Sequence, residues 1–166
     1  MPVSLIPIYD IESPERELYE RFLYDLLRGR KPWENISHKK MPTYEEHIEF
    51  VRSKPYKKWF IIDFRGPVGA IYLTHKNEIG IFIERPYQGK KLGSAALTLL
   101  IAYTPDVETF YANIGTYNSR SLAFFVNKRF MFKEQEIDKD GKLVQYTYMY
   151  ANPYFRLPQP MRLPNC

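Results

Sequence analysis

The residues best suited to chemistry in this sequence lie in one short stretch, RPYQGKKLGSAAL, which covers positions 85–97. Gly89 and Gly93 separate an apolar, strand-like run from a helix-like run. Glycines at such a turn let the backbone approach a ligand closely, and the N–H groups at the start of a helix attract anions. Lys90 and Lys91 add positive charge. The stretch therefore predicts a phosphate-binding turn, and the alternative is an ordinary strand-to-helix turn with solvated lysines.

The spacing of these glycines excludes two common phosphate-binding motifs. The P-loop requires G-x-x-x-x-G-K followed by Ser or Thr, whereas Gly89 and Gly93 are only four positions apart and Leu92-Gly93-Ser94 lacks the Lys-Ser or Lys-Thr pair. The dinucleotide fingerprint, G-x-G-x-x-G, is absent from the stretch.

The elements that must position this turn follow from hydrophobic periodicity and turn residues. Ser13 suits the N-cap of a first helix, Thr43 and Glu46 have the spacing of a capping box, and Asp140-Gly141 marks a hairpin. The order β-α-α-β-β-β-α-β-α-β-β fits a mixed α/β domain with one central sheet and helices on both faces. We predict helices that start near Ser13, Thr43, Leu92 and Asn118, and strands at Val3–Tyr9, Trp59–Phe64, Gly69–Thr74, Glu78–Glu84, Thr109–Ile114, Met131–Ile137 and Lys142–Tyr150.

Length and composition favour a single domain and exclude several classes of protein. The 166 residues predict one domain, assigned to residues 1–151, and residues 152–166 form a Pro-rich tail that should be extended. The net charge of +5 is mild and scattered, which disfavours nucleic acid as a partner. Cys166 is the single cysteine and the three histidines are dispersed, so we expect no disulfide and no metal site. No signal peptide or membrane span is predicted, so we expect a cytoplasmic protein without membrane contact.

The glycine turn resembles a known signature once its flanking residues are included. Gln88-Gly-Lys-Lys-Leu-Gly93 is similar to Q/R-x-x-G-x-G/A, the acyl-CoA-binding motif of the GNAT acetyltransferase superfamily. Gln88 and Gly93 match the motif, and Lys91 stands where glycine is usual.

A second segment, NSRSLAFFVNKRF, strengthens the resemblance. It is similar to the superfamily pattern N-x-x-A/S-x-x-F/L-Y/F-x-x-x-G-F, and Arg129 replaces the usual glycine. The two segments are separated by about thirty residues, which is the spacing expected in the superfamily. The residues that fit the pattern are Asn118, Ser121, Phe124, Phe125 and Phe130.

The resemblance implies acetyl-CoA as the cosubstrate and a fold with one mostly antiparallel, twisted sheet of about seven strands. That sheet would contain a splayed parallel pair and carry helices on both faces. The pantetheine arm would lie in the splay and pair with main-chain groups of Ile81 and Ile83, with Asn118, Ser121 and Phe124 on the far side. A lysine fits at position 91 if its φ is negative. The pyrophosphate would be cradled by backbone N–H groups of Gln88, Gly89, Lys90, Lys91, Leu92, Gly93 and Ser94.

The resemblance also suggests which side chains move protons. Acyl transfer to an amine needs a base for the amine and can use an acid for the leaving thiolate. Glu78, at the start of the strand that faces the acyl group, and His47, on the helix that lines the acceptor side, are the catalytic candidates; Glu84 is a weaker one. A solvated carboxylate and a buried, hydrogen-bonded histidine are the alternatives. The tyrosine that many members use as the acid is replaced by Phe124 or Phe125, so we expect no acid from that helix.

The acceptor is expected to be a small-molecule primary amine that also bears phosphate. The segment around residues 28–51 would form its pocket and loosely resembles acetyltransferases of nucleotide-linked amino sugars. Trp33 would supply a flat surface. A protein N-terminus, an amino acid or a polyamine stays open, as does a CoA-binding module without catalysis, and the chain would be a monomer or homodimer. The basic residues suited to phosphate are Arg28, Arg30, Lys31, Lys39 and Lys40.

Overall fold

The computed structural model describes residues 2–34 and 40–157. His38 and Lys39 lie outside the described residues, as do Cys166 and the rest of the tail beyond residue 157. The last described strand ends at Ala151, and the division into a domain and a tail stays a prediction.

The described part of the chain contains seven strands and four α-helices in the predicted order. Short 3-10 turns at Ile8–Asp10, Pro32–Glu34 and Arg85–Tyr87 connect some of them. The strands are β1 (Ser4–Pro7), β2 (Lys58–Asp63), β3 (Pro67–Leu73), β4 (Ile79–Ile83), β5 (Thr109–Gly115), β6 (Met131–Ile137) and β7 (Leu143–Ala151). The helices are α1 (Glu15–Arg28), α2 (Tyr44–Arg52), α3 (Leu92–Tyr103) and α4 (Ser119–Asn127).

Two of the predicted helix N-caps can be compared with the structure, and one of them is wrong. The capping box at α2 is confirmed, because the Thr43 hydroxyl accepts from the Glu46 N–H at 3.2 Å and the Glu46 carboxylate accepts from the Thr43 N–H at 2.8 Å. Ser13 as the N-cap of α1 is wrong. Pro14 occupies that position without a side-chain cap, and the acidic first turn of α1 faces the positive helix end instead.

The strands divide into two antiparallel sheets, in the orders β1-β2-β3-β4 and β5-β7-β6. One parallel bridge, between Glu78 and Tyr111, joins the start of β4 to β5. The Tyr111 N–H donates to the Asn77 carbonyl at 2.9 Å there. Beyond this point β4 and β5 diverge, so the expected splayed parallel pair is the place where the two sheets separate.

Both faces of the first sheet are covered. The side chains of its strands alternate between the two faces, and each face packs against a different apolar core. On one face, Ile71 and Leu73 belong to the apolar core that includes α3 and β5. On the other face, Ile61 and Ala70 belong to the core that includes α1 and α2. β4 therefore stands between the α3 side and the α1–α2 side, with its outer edge open toward β5.

Candidate active site

A single cleft with a volume of about 770 Å³ follows the open edge of β4. One end is lined by the turn before α3 and the start of α4, and the other end by α1 and α2. The predicted cofactor turn and the predicted acceptor side therefore meet in one continuous space.

The backbone of the turn before α3 presents a row of donors. From Gly89 to Ser94, no backbone N–H donates to another backbone group within residues 2–34 and 40–157, and the Ala95 N–H is the next to bond, to the Lys91 carbonyl at 3.1 Å. The row lies at the positive end of the α3 dipole, where an anion is favoured. Consecutive free N–H groups of this kind suit a pyrophosphate.

Lys91 adopts a conformation that the sequence analysis did not expect. Its φ of 61° and ψ of 8° are left-handed, at the N-cap of α3, so the expected negative φ is wrong. Arg129, which replaces the other signature glycine, has a φ of 66°. At both positions the backbone keeps the shape that glycine usually provides, although a side chain is present. An L-residue in this region costs roughly 1–2 kcal/mol.

The Gln88 side chain ties the turn to β4. Its Nε2 donates to the Ile83 carbonyl at 2.7 Å, and its Oε1 accepts from Nη1 of Arg120. Arg120 lines the cleft beside the row of N–H groups and brings a guanidinium to it. Arg120 was not predicted as a site residue, although it stands inside the second motif, two positions after Asn118.

The two lysines of the turn differ in placement. Lys91 lines the cleft, whereas the Lys90 ammonium lies over the Tyr87 ring, 5.3 Å from its centroid, and Lys90 is not among the lining residues. Of the two, the structure thus places Lys91 at the cleft.

The open edge of β4 offers main-chain groups to a ligand. The Glu84 N–H donates to the Val68 carbonyl at 2.9 Å, which fixes the phase of the β3–β4 ladder. Because hydrogen-bonded and non-hydrogen-bonded pairs alternate in an antiparallel ladder, the main-chain groups of Ile81 and Ile83 point away from β3, toward the split between the sheets. Gln88 already donates to the Ile83 carbonyl, so the groups open to a ligand are both those of Ile81 and the N–H of Ile83. This is the arrangement that a paired pantetheine arm requires.

Residues of the second motif line the same end of the cleft. Asn118 caps α4 by accepting from the Ser121 N–H at 3.1 Å. Asn118, Ser121 and Phe124 all line the cleft. Phe124 also lies close to Gly93, where an added Cβ would be 3.5 Å from its ring. The motif thus positions α4 against the cofactor turn.

Glu78 lies where the two sheets meet and is held by two side chains. Its Oε1 accepts from Nδ2 of Asn113 at 2.9 Å, and its Oε2 accepts from the Thr74 hydroxyl at 3.2 Å. Glu78 lines the cleft between the cofactor turn and the α1–α2 end. An oriented carboxylate in this position can accept a proton from an amine that enters from either side.

The α1–α2 end of the cleft is walled by aromatic rings. Tyr56 and Tyr72 stack in parallel, with centroids 4.0 Å apart, and Trp59 meets Tyr56 edge-on at 4.8 Å. Burial, followed by the neighbouring Tyr72, raises the pKa of Tyr56, so its hydroxyl stays protonated at neutral pH. Gly80 makes room for Tyr72, since a Cβ there would lie 2.0 Å from the ring. The sequence offered only a high aromatic content as a signal for this cavity.

His47 is buried at this end of the cleft. It is 5% exposed and its ring lies 5.4 Å from that of Tyr24, between α1 and α2. His47 and Glu78 both line the cleft, so the structure brings the two catalytic candidates into one cavity.

Of the cations expected to bind phosphate, Arg30 lines the cleft. Its guanidinium lies over the Phe82 ring at 5.0 Å, and it forms no salt bridge with any described residue. Arg28 instead pairs with Asp25 at 3.5 Å on the exposed surface. Lys31, Lys40 and Trp33 are exposed and do not line the cleft, and Lys39 is outside the described residues.

The searched residues give no sign of a metal or a membrane span. Across residues 2–34 and 40–157, no group of three or more His, Cys, Asp or Glu side chains could hold a metal ion. In the same part of the chain no helix is both long and apolar enough to cross a bilayer.

Comparisons with known proteins find similarity to acetyltransferases. A family model described as the acetyltransferase (GNAT) family matches residues 10–130. RimL, a ribosomal L7/L12 alpha-N-protein acetyltransferase solved with coenzyme A, is 16% identical with a TM-score of 0.70, over 91% of this chain and 94% of that one.

Two further solved structures share the fold. A spermidine N-acetyltransferase from Vibrio cholerae, solved with CoA and spermine, is 14% identical with a TM-score of 0.73, over 90% and 95% of the chains. The microcin C7 self-immunity acetyltransferase MccE, solved with acetyl-CoA and AMP, is 17% identical with a TM-score of 0.67, over 90% and 92%. No curated protein matches the sequence.

Proposed function

Because this chain belongs to the acetyltransferase (GNAT) family, we propose that it transfers an acetyl group to the primary amine of a small molecule held at the aromatic end of the cleft. Members of the family use acetyl-CoA, which supplies an acetyl group activated as a thioester. One observation carries the proposal: the row of N–H donors and the aromatic cavity open into the same space, and Glu78 lies between them.

We assign each part of the reaction to a different group of residues. The N–H groups from Gly89 to Ser94, with Arg120 beside them, would hold the pyrophosphate. The open edge of β4 at Ile81 and Ile83 would align the pantetheine arm and supply N–H donors near the acetyl oxygen. Glu78 would accept the proton of the ammonium group before attack.

The two positions of α4 that match the acidic tyrosine of relatives carry no hydroxyl. Phe124 and Phe125 line the cleft at the positions where relatives place a tyrosine, and a phenyl ring has no proton to donate. Because a CoA thiolate is a tolerable leaving group near neutral pH and can take its proton from solvent, the reaction can proceed without a dedicated acid.

We further propose that the acceptor bears phosphate, and that it is a nucleotide-linked amino sugar. Arg30 is the support for an anion, because it faces the cleft without a salt bridge in the described part of the chain. The carboxylates nearby are engaged: Glu46 in the α2 capping box, and Glu34 with Arg85 at 3.6 Å. The stacked Tyr56 and the rings around it suit a flat base. A cationic polyamine is a poorer fit, because the carboxylates near Arg30 already have partners.

The test is release of free thiol from acetyl-CoA in the presence of a panel of amines. The panel holds nucleotide-linked amino sugars, amino sugar phosphates, free amino sugars, a short peptide with a free N-terminus, and spermidine. We expect the nucleotide-linked amines to give the highest kcat/KM. Gly93→Glu should abolish acetyl-CoA binding in calorimetry, because it places bulk and negative charge beside the pyrophosphate. Equal turnover of unphosphorylated amines would refute the acceptor class.

Two arginines near the end of α1 give a matched pair for the anion: Arg28 is its last residue, and Arg30 lies two positions further on. Arg30→Met should raise the acceptor KM by about 10-fold or more, the value of a charge-assisted hydrogen bond of about 1.5 kcal/mol. Arg28→Met should leave KM unchanged, since Arg28 pairs with Asp25 outside the cleft. If acetyl-CoA binds but no amine releases thiol, the chain is a CoA-binding module and the proposed activity is wrong.

His47 is separated from Glu78 by kinetics. His47→Ala should raise the acceptor KM more than it lowers kcat if the imidazole only contacts the acceptor, and it should collapse kcat if the imidazole is the base. With Glu78 as the base, we expect the first result for His47→Ala and a loss of kcat for Glu78→Gln.

A further inference from the structure

Glu78 lies on a boundary between two cavities. Besides the main cleft, a second cavity of about 440 Å³ lies at the junction of the two sheets. Glu78 and Asn113 line both cavities. The parallel bridge between Glu78 and Tyr111 is in the same place, so the carboxylate sits at the point where the sheets are joined.

A chain of hydrogen bonds crosses this junction. The Thr147 hydroxyl on β7 donates to Oδ1 of Asn113 at 2.9 Å, and Nδ2 of Asn113 on β5 donates to Oε1 of Glu78 at 2.9 Å. Because a carboxylate only accepts, the amide must turn Nδ2 toward Glu78, and the Thr147 donor on the opposite oxygen stabilises the same orientation. The second sheet therefore fixes a side chain that belongs to the first.

We propose that Asn113, supported by Thr147, is a positioning residue that holds the Glu78 carboxylate in the orientation needed to take the proton of the acceptor amine. This inference rests on the proposed function, since it takes Glu78 as the base. Asn113 touches neither the amine nor the acetyl group in this role, and it acts on the rate through Glu78 alone.

The reason for a dedicated positioning residue lies in the split between the sheets. Beyond the bridge at Tyr111, no ladder connects β4 to β5 in the described residues, so backbone pairing holds these strands together at one point and does not orient the Glu78 side chain. A glutamate side chain has several rotatable bonds, and an unheld carboxylate could turn toward either of the two cavities that Glu78 lines. Hydrogen bonds from two sides remove that freedom before the acceptor arrives.

The experiment is a double-mutant cycle between Glu78→Gln and Asn113→Leu, with kcat, acceptor KM and the Kd of acetyl-CoA measured for each variant. We expect Asn113→Leu to lower kcat by about 10-fold to 100-fold, a part of the roughly 100-fold to 10,000-fold that a general base contributes, with KM and Kd within about twofold. In the Glu78→Gln background the same change should have no further effect on kcat, because the group that it positions is already absent.

Variants on β7 provide the matched controls. Thr147→Val removes the donor at constant shape and should lower kcat severalfold, whereas Thr147→Ser keeps the hydroxyl and should retain more of the rate. Gln145→Leu alters another polar residue that lines the second cavity, and it should leave kcat unchanged. Thermal unfolding of every variant separates a loss of rate from a loss of structure.

The outcomes distinguish this inference from the proposed function. If Glu78→Gln lowers kcat but Asn113→Leu does not, or if the two losses multiply in the double variant, the positioning role is wrong and the base assignment stands. If Glu78→Gln retains kcat, the base assignment and the positioning role both fail while acetyl transfer remains. An inactive wild-type chain would overturn the proposed function and this inference together.

Discussion

Replacing Lys91 by glycine should stabilise the protein without weakening cofactor binding. Lys91 has a φ of 61°, a region that costs an L-residue roughly 1–2 kcal/mol. Glycine adopts this conformation freely but gives the unfolded chain more freedom, which offsets about 0.5–1 kcal/mol. The net gain for Lys91→Gly is therefore about 0.5–1 kcal/mol. At this chain length, about 2–4 °C in Tm corresponds to each kcal/mol.

We also expect the backbone at position 91, and not the lysine side chain, to contact the phosphates. The N–H of residue 91 remains in the glycine variant, and so do its neighbours in the row from Gly89 to Ser94. Calorimetry with acetyl-CoA should therefore give a Kd within about threefold of the wild type, well below the effect of losing a charge-assisted hydrogen bond. Urea unfolding without ligand measures the gain in stability.

Lys91→Ala is the control, because it removes the ammonium but keeps a Cβ at positive φ. If the alanine variant is as stable as the glycine variant, backbone strain is not the cause of the gain. If both variants lose about tenfold or more in affinity for acetyl-CoA, the lysine side chain contacts the phosphates and the reasoning about the backbone is wrong. Arg129→Gly should repeat the stability gain, since its φ is 66°.

Three further predictions concern packing and the missing acid. Gly80→Ala should destabilise the fold by about 1–3 kcal/mol in urea unfolding and raise the acceptor KM, because its Cβ would lie 2.0 Å from Tyr72; Gly93→Ala, with its nearest contact at 3.5 Å, should cost less. Phe125→Tyr should raise kcat by less than about tenfold, and a hundredfold rise would show that a lost general acid limits the enzyme. Arg52→Met should destabilise the packing of α1 on α2, because it leaves the buried Glu20 carboxylate without its 2.8 Å partner, and a second change to Glu20→Gln should recover part of the loss.

The parts of the structure that the sequence predicted are those coded by local spacing. The element order is confirmed, and so is membership of the GNAT family, because two motifs and the alternation of strands and helices are readable in short windows. The capping box at Thr43 is confirmed for the same reason. The N-cap at Ser13 was predicted wrongly, because the presence of a serine with a capping hydroxyl does not mean that the hydroxyl caps the helix.

The parts that the sequence did not predict depend on residues that meet only after folding. Asn113 reaches Glu78 across 35 positions of sequence, and Arg120 reaches Gln88 across 32. The stacking of Tyr56 on Tyr72 needs the register of the β2–β3 hairpin and a missing side chain at Gly80. The left-handed backbone of Lys91 could not be predicted from the sequence, because lysine rarely adopts a positive φ. The predicted roles of Glu78, His47 and the phosphate-binding cations stay predictions.

The separation of the sheets has a mechanical consequence. With a single bridge between them in the described residues, the N-terminal and C-terminal halves adhere through interdigitated side chains, among them Ile71, Leu100 and Phe110, which are 0% exposed. A ladder of hydrogen bonds fixes the distance between two strands. The distance across an apolar contact instead depends on side-chain size and can change by the width of one methyl group. The width of the gap proposed to receive the cofactor is thus set by buried residues that do not line the cleft. Substitutions in that interior would tune affinity for acetyl-CoA while leaving every contacting residue intact.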